Sequence, residues 1–449
     1  MKDYTIGTVN NVTDYGVDRR LPAETSVASV YRTYNSATRV DIALLASALF
    51  LQRFSLPFFH TFLSIDFVFA ALIFVHQFAS GRLFIQYDRL LWFLVMAVAA
   101  TSSVLLNFDS RMLTSYGLFV LLYFLFTLSR SSTPDQYKST LQGFQLLGLI
   151  LCCLAIAQFA AQLVVDGRKL IMFFGIFPDF ILPSQESMGG NGGWNTIGPI
   201  TPGSSLIKSN GIFLVEPSTM SQIAALGILI EVLEFRRPRY LIVLTLGLLL
   251  AYSGTGISIL LVSLPVAVLV NRRAQLPAML ISLFAFGLLA AGIIDISAFT
   301  SRVGEFDDKS ASGFIRFVSP FWMAADYFNT ASLPELLHGN GPGGQGFVAN
   351  KFYHASGSSW FNVIYYYGLI GAFLFTCFFA SCFRRSRCPK PLLAALIYNY
   401  LVTNSNLIGT SNLIMMVVLC TLNGPEPRRG RIGEPSQYPS PFVTGSAAG

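Results

Sequence analysis

Twelve runs of apolar residues, most of them near the ~20 residues that an α-helix needs to cross ~30 Å of hydrocarbon, leave this chain little choice of architecture. They fall at 41–58, 62–79, 89–106, 112–129, 142–165, 212–234, 239–252, 255–270, 276–299, 357–383, 391–404 and 408–422. The seventh and eighth are joined by the tight turn Tyr252-Ser253-Gly254-Thr255-Gly256. A lipid-exposed backbone must satisfy its own hydrogen bonds, so runs of this length are helices. The expectation is an all-α polytopic membrane protein with about 12 transmembrane helices (10–12). With 53% hydrophobic and only 12% charged residues, the composition is not that of a soluble domain.

Lysine and arginine remain on the cytoplasmic side of a membrane protein. Alternating the loops from an inside N-terminus places 21 of the 30 basic residues in the cytoplasm, among them Arg236, Arg237, Arg272, Arg273, Arg384 and Arg385. The other 9 face outward, including Arg168, Lys208, Arg302, Arg316 and Lys351. The net charge of +7 is therefore a topology signal. Scattered basic residues without interleaved aromatics give no nucleic-acid footprint.

The same alternation places two long loops, 166–215 and 300–356, on the outer side. The polar segments 1–38 and 423–449 read as disordered cytoplasmic tails around a membrane domain at 39–422, and the first span serves as its own insertion signal. None of the six cysteines falls in an outward loop, so no disulfide or CxxC metal site is expected.

Charges inside spans are costly and therefore informative. Arg53 and Asp66 lie near the outward ends of consecutive spans. They either pair across the hairpin, or Arg53 extends to the interface with no further duty. Elsewhere the spans carry almost no ionisable groups, which argues against an ion-coupled transporter.

The first outward loop contains an interfacial run, Ile171–Ile181, and a Gly/Asn-rich stretch, Met188–Trp194. It re-enters the membrane through Lys208-Ser-Asn-Gly-Ile-Phe-Leu-Val-Glu216-Pro217-Ser218. Glu216 stands at the mouth of the sixth span, either as a cap on the helix dipole or as a catalytic or acceptor-binding carboxylate. The second loop carries Arg302, Glu305, Arg316, the run His338-Gly-Asn-Gly-Pro-Gly-Gly344, and His354. Its glycines allow close backbone approach to a ligand, or form an ordinary tight loop.

Arginine offers planar bidentate donors to phosphate oxygens, so Arg316, Arg302, Lys208 and Lys351 suit a diphosphate held without a metal. Glu305-Phe-Asp-Asp308, flanked by Lys309, reads as a solvated face rather than a metal cluster. His354 or Glu216 is placed to accept a proton from an attacking hydroxyl.

Several of these segments together resemble the superfamily of O-antigen polymerases, O-antigen ligases and exopolysaccharide polymerases (Wzy/WaaL-like), most of all the bacterial exopolysaccharide polymerases. The carriers are Lys208-x-x-Gly211-x-Phe213-x-x-Glu216-Pro217-Ser218, Arg302-x-x-Glu305, Ser312-x-x-x-Arg316, Gly339-x-Gly341-Pro342-Gly343, His354, and Tyr367-Gly368-x-x-Gly371. Two features depart from the family pattern. Lys208 stands where arginine is usual, and His354 lies further from Gly368 than the family histidine, with Ala355 in place of a frequent Asn.

The resemblance implies an inner-membrane glycosyltransferase that joins polyprenyl-pyrophosphate-linked oligosaccharide repeat units at the periplasmic face, without a cofactor or metal. It implies Arg316, Arg302 and Lys208 as pyrophosphate ligands and His354 and Glu216 as catalytic residues. Its partners would be undecaprenyl-pyrophosphate-linked oligosaccharide, membrane lipid, and the flippase and chain-length or export proteins of a polysaccharide assembly system. A ligase that moves glycan onto lipid A shares the fold and the loops, and a transporter of lipid-linked sugars is the non-enzyme alternative.

Overall fold

The computed structural model describes residues 36–58, 61–107, 110–165, 199–200, 204–291, 304, 306–307, 309, 313–342, 357–404 and 406–424. A helix occupies each of the twelve apolar runs. The first nine helices are α1 (Ser36–Phe50), α2 (Ile65–Ala79), α3 (Tyr87–Leu106), α4 (Ser110–Phe124), α5 (Pro134–Ala161), α6 (Pro217–Ile230), α7 (Pro238–Leu250), α8 (Gly254–Val270) and α9 (Gln275–Ala290). Two helices of the second loop follow, α10 (Ser319–Thr330) and α11 (Leu333–His338), and then α12 (Ser359–Phe383), α13 (Lys390–Tyr398) and α14 (Thr410–Met416).

Among the described residues, four helices are long and apolar enough to cross a membrane: Tyr87–Leu106, Pro134–Ala161, Pro217–Phe235 and Ser359–Phe383. The other helices in the apolar runs are shorter. Local sequence explains part of the shortening. The first run ends as a helix at Phe50, and Ser55–Phe58 and Thr61–Ser64 form an antiparallel hairpin, with Pro57 blocking helical continuation. The runs of α6, α13 and α14 finish in π turns at Glu231–Phe235, Asn399–Thr403 and Val417–Leu422.

One helix is central. Thirteen of the fourteen residues of α6 are buried, and it is flanked by α5, α7, α8 and α13. A helix apolar on every side belongs inside the bundle. Because lipid is as apolar as leucine, close packing supplies the contact energy, and small residues allow it. Gly256 of α8 lies against the Ser221 carbonyl of α6, where a Cβ would overlap it. At the periphery, Leu72, Val98, Leu105, Leu261 and Phe286 are exposed, as a lipid-facing surface requires.

The two ends of the bundle differ. At the end assigned to the cytoplasm, Phe84–Ile85, Leu128–Ser131 and Asn423–Gly424 form a small three-stranded sheet. There Arg130 pairs with the fully buried Asp41 and also binds Asn423 Oδ1 at 2.9 Å and the Ala37 carbonyl at 3.0 Å. Asn423 and Gly424, expected to begin the tail, are thus part of the folded body.

At the other end Arg53 and Asp66 take different partners. Arg53 donates through Nε to the Leu214 carbonyl at 2.9 Å. Asp66 accepts from Thr410 Oγ1 at 3.0 Å and Ser411 Oγ at 2.5 Å, which ties the start of α2 to the start of α14.

Candidate functional site

The site begins where the chain enters α6. A side-chain amide clamps the approach: Gln162 Nε2 donates to the Ile207 carbonyl at 3.1 Å, and the Ile207 amide donates to Gln162 Oε1 at 2.8 Å. The Asn210 amide donates to Gln158 Oε1 at 3.1 Å, and Asn210 Nδ2 donates to the Leu214 carbonyl at 2.9 Å. Gly211 has φ +66°, and its missing Cβ would lie 3.0 Å from the Leu151 carbonyl oxygen. A side chain there would meet both the strained backbone and α5. Phe213 closes edge-on against Phe50, with ring centroids 5.2 Å apart. The segment Lys208–Val215 is therefore an irregular but tightly held crossing, and it delivers Glu216 to a fixed place.

Glu216 is the N-cap residue of α6 in extended conformation, with Pro217 in the first turn. Its carboxylate makes no cap bond to the helix amides. It instead accepts a hydrogen bond from Ser218 Oγ and pairs with Arg316, whose Nη2 lies 2.7 Å from Glu216 Oε2. Arg316 Nη2 also reaches Ser218 Oγ at 3.4 Å.

Arg316 sits in the π turn Phe314–Val318, directly before α10. Aromatic packing fixes α10: Tyr327 meets Tyr365 of α12 edge-on at 5.3 Å, and Phe314 meets Trp322 at 5.3 Å. π turns of this kind recur at functional sites.

The Arg316 and Glu216 side chains are 21% and 23% exposed, so the pair is reachable from outside. Burial pushes the Glu216 carboxyl up, but the Arg316 guanidinium and the hydrogen bonds from Ser218 and Arg316 outweigh it. The net result is a carboxyl held below the ordinary glutamate value. Ser218 is steadied in turn by the neighbouring helix start: Thr255 Oγ1 donates to the Ser218 carbonyl at 3.3 Å, and the Gly256 amide donates to Ser221 Oγ at 3.1 Å.

The glycine run of the second loop approaches protein backbone. Gly339 and Gly341 have φ +76° and +77°, and α12 is broken at Gly368, with φ +66°. The break frees two carbonyls, which the loop covers: the Asn340 amide donates to the Tyr365 carbonyl and the Gly341 amide to the Tyr366 carbonyl, both at 2.9 Å. A Cβ on Gly339 would fall on the Tyr366 carbonyl, and one on Gly368 on the Leu337 carbonyl. Both glycines are thus required by the joint between two backbones. His338, at the end of α11, faces Ser102 Oγ at 3.4 Å.

Of the residues selected from sequence, the structure brings Arg316 and Glu216 into one ion pair. Lys208 is half-buried on the crossing that leads to Glu216. Arg302 and His354 lie outside the described residues, as does Lys351. Sequence reasoning missed the polar neighbours Gln222, Asn399 and Thr403. Gln222 Nε2 faces Thr403 Oγ1 at 3.5 Å, and Thr403 Oγ1 donates to Asn399 Oδ1 at 2.7 Å. The available signal was Gln222 itself, an amide four residues after Ser218 on one face of an apolar helix.

Chemically, this is a partly exposed guanidinium held by its own resident carboxylate. Among the described residues only Nη2 of Arg316 is engaged, so Nε and Nη1 retain donors for a phosphate oxygen. Glu216 holds the guanidinium in place and, with its lowered pKa, is a weak proton acceptor.

Searches among curated proteins and among solved structures give no match. A family model does match, that of the WcaD colanic acid polymerase, over residues 43–422. The match runs from within α1 to the end of the α14 turn and includes both Glu216 and Arg316. The chain belongs to the WcaD colanic acid polymerase family and is a membrane exopolysaccharide polymerase.

Proposed function

We propose that this polymerase joins oligosaccharide repeat units carried on polyprenyl pyrophosphate, at the periplasmic face of the inner membrane, by glycosyl transfer that needs no metal ion. An acceptor sugar hydroxyl attacks the anomeric carbon of the growing chain. A new C–O bond forms as the bond from that carbon to the pyrophosphate oxygen breaks, and the leaving lipid pyrophosphate takes the electron pair. The hydroxyl proton passes to a base.

The single observation that carries this reading is Arg316, anchored by Glu216 and Ser218 at the mouth of α6 with donors to spare. A fixed guanidinium suits charge that develops on a departing pyrophosphate, because a preorganised donor costs no rearrangement during the reaction. Arg302 and Lys208 would add positive charge. Glu216 acts chiefly by positioning Arg316, and His354 is the candidate to orient or deprotonate the acceptor.

The outward placement of this end rests on the 21 to 9 distribution of basic residues. A helix in every apolar run supports a twelve-crossing chain. Lipid tails would enter sideways between helices.

The test is the lipid-linked oligosaccharide profile of cells carrying wild type, a deletion, or Arg316→Ala at matched protein level. Single repeat units accumulating on polyprenyl pyrophosphate with loss of polymer in both mutants is the expected result. Polymer retained on its lipid carrier but absent from a final acceptor would identify a ligase, and an unchanged profile would reject the role of Arg316. Purified protein should keep its rate within about twofold in excess EDTA if Arg316 and its neighbours supply the charge. A collapse restored by added Mg²⁺ would refute metal independence.

A further inference from the structure

Two buried amides are poorly satisfied, Gln222 one turn beyond Ser218 on the same face of α6 and Asn399 in the π turn after α13. Gln222 is 5% exposed, and its only hydrogen bond among the described residues is the long one to Thr403. A glutamine amide offers two donors and an acceptor oxygen, so most of its capacity is unused. Asn399, 2% exposed, accepts from Thr403 Oγ1, while its Nδ2 has no partner among the described residues.

A third group borders the same turn. Ser359 binds the Asn404 carbonyl through both its amide and its Oγ, at 2.9 Å each. Ser358 beside it is 2% exposed and leaves Oγ without a partner, although it stands at the N-cap of α12, where a serine ordinarily caps the helix.

Buried polar groups in folded proteins are almost always paired, and the unpartnered Ser358 Oγ beside two under-used amides calls for a reason. The groups surround the π turn Asn399–Thr403, which packs against the π turn that carries Arg316. Ser218 and Gln222 are separated by one helical turn, ~6 Å along the axis. A ligand whose phosphate rests on Arg316 can therefore reach these amides with the group attached to it.

What binds amides and a serine hydroxyl, with no charged side chain among the four groups? The donor and acceptor set is neutral and mixed, which matches a sugar ring, whose hydroxyls each donate and accept. We propose that Gln222, Asn399, Thr403 and Ser358 form a carbohydrate subsite beside Arg316, which holds the hydroxyls of the sugar next to the scissile bond. This inference rests on the glycosyl-transfer reading above and deepens it by assigning the sugar contacts. The four are specificity-determining residues, whereas Arg316 contacts the phosphates.

The experiment uses the full chain in nanodiscs and two separate probes, undecaprenyl diphosphate and the free oligosaccharide released by mild acid from the accumulated lipid-linked repeat unit. Gln222→Leu and Thr403→Val each remove hydrogen-bonding capacity while keeping much of the shape. Each should weaken oligosaccharide binding about five- to tenfold, the loss expected for one or two neutral hydrogen bonds. Undecaprenyl diphosphate binding should stay within about twofold, and Arg316→Ala should give the reverse pattern.

If both variants bind the oligosaccharide as wild type does, the amides hold only buried water and the subsite is refuted. Equal loss of both probes would also refute it, because the substitutions would then be acting through packing. If wild type binds neither probe, the glycosyl-transfer reading itself fails, an outcome distinct from the other two. Thr403→Val keeps the test decisive should Gln222→Leu not accumulate in the membrane.

Discussion

Two arginine–carboxylate pairs, Arg130–Asp41 and Arg316–Glu216, sit at opposite ends of this bundle, and they differ in how far the guanidinium is enclosed. Arg130 and Asp41 are 7% and 0% exposed; Asn423, Thr140 and the Ala37 carbonyl bind them further, and among the described residues Asp41 Oδ1 is left without a partner. Arg316 and Glu216 are 21% and 23% exposed, and among the described residues only Ser218 joins them. A buried pair loses much solvation and survives only when its other bonds are made. The Arg130 cluster meets that condition at every charged atom but Asp41 Oδ1, and it joins α1, the strand at Leu128–Ser131 and the strand at Asn423–Gly424. Among the described residues the Arg316 pair leaves guanidinium donors unused at an accessible mouth. The same chemical pair is a fastener at one end and, in the function proposed above, an anion site at the other.

Substitution of the two arginines should separate these roles, and this is the largest effect expected. Arg130→Ala strands a buried carboxylate, which costs about 3–5 kcal/mol. Its amount in the membrane should fall steeply, along with any polymer. Arg316→Ala should leave the amount near wild type and lower the melting temperature in detergent by only the few degrees that the pair contributes, while polymer synthesis per molecule falls about 10²- to 10³-fold, as for loss of a preorganised charge donor. Arg316→Lys should recover part of the activity, since the charge remains but the planar fork is lost. A fall in Arg316→Ala abundance matching that of Arg130→Ala would erase the distinction.

The glycine joint sharpens the comparison further. Gly339→Ala and Gly368→Ala each force a side chain into left-handed backbone and onto a carbonyl of the opposing segment. Each should destabilise by about 2 kcal/mol or more. Gly287→Ala in α9, where a Cβ meets nothing within 4 Å, should be neutral or stabilising by up to about 1 kcal/mol. Melting temperatures of the three variants, measured together, test whether the motif glycines serve the backbone joint.

What could be read in the sequence was local. Apolar runs located every helix named above except α10 and α11, because burial or lipid contact demands hydrophobic residues along a helix. Pro217 and Glu216 marked the start of α6, although the carboxylate turned away from the helix amides. The pairing of Glu216 with Arg316 joins residues 100 positions apart, and no periodicity encodes such a contact. The meeting of Gly339 with Gly368 was hidden for the same reason, since each glycine is explained only by the other segment's backbone. Arg53 and Asp66 looked like partners because they flank one hairpin, yet both found oxygen or hydroxyl groups on distant segments.

The smallest effect concerns pH and tests whether Glu216 really anchors Arg316. Its pKa is depressed in the fold, so the pair's contribution is fully present above the unfolded value near 4.5. It fades only as pH falls through the lowered folded value. Glu216→Gln removes the titrating charge but keeps the size and a hydrogen-bond acceptor. Its melting temperature should therefore sit below wild type by a constant few degrees from pH 7 down to about 5, and the two curves should converge at more acid pH. A gap that instead closed between pH 7 and 5 would mean that Glu216 takes up its proton there. The carboxyl would then be raised rather than lowered, and it would return as a candidate general base in place of a positioning group.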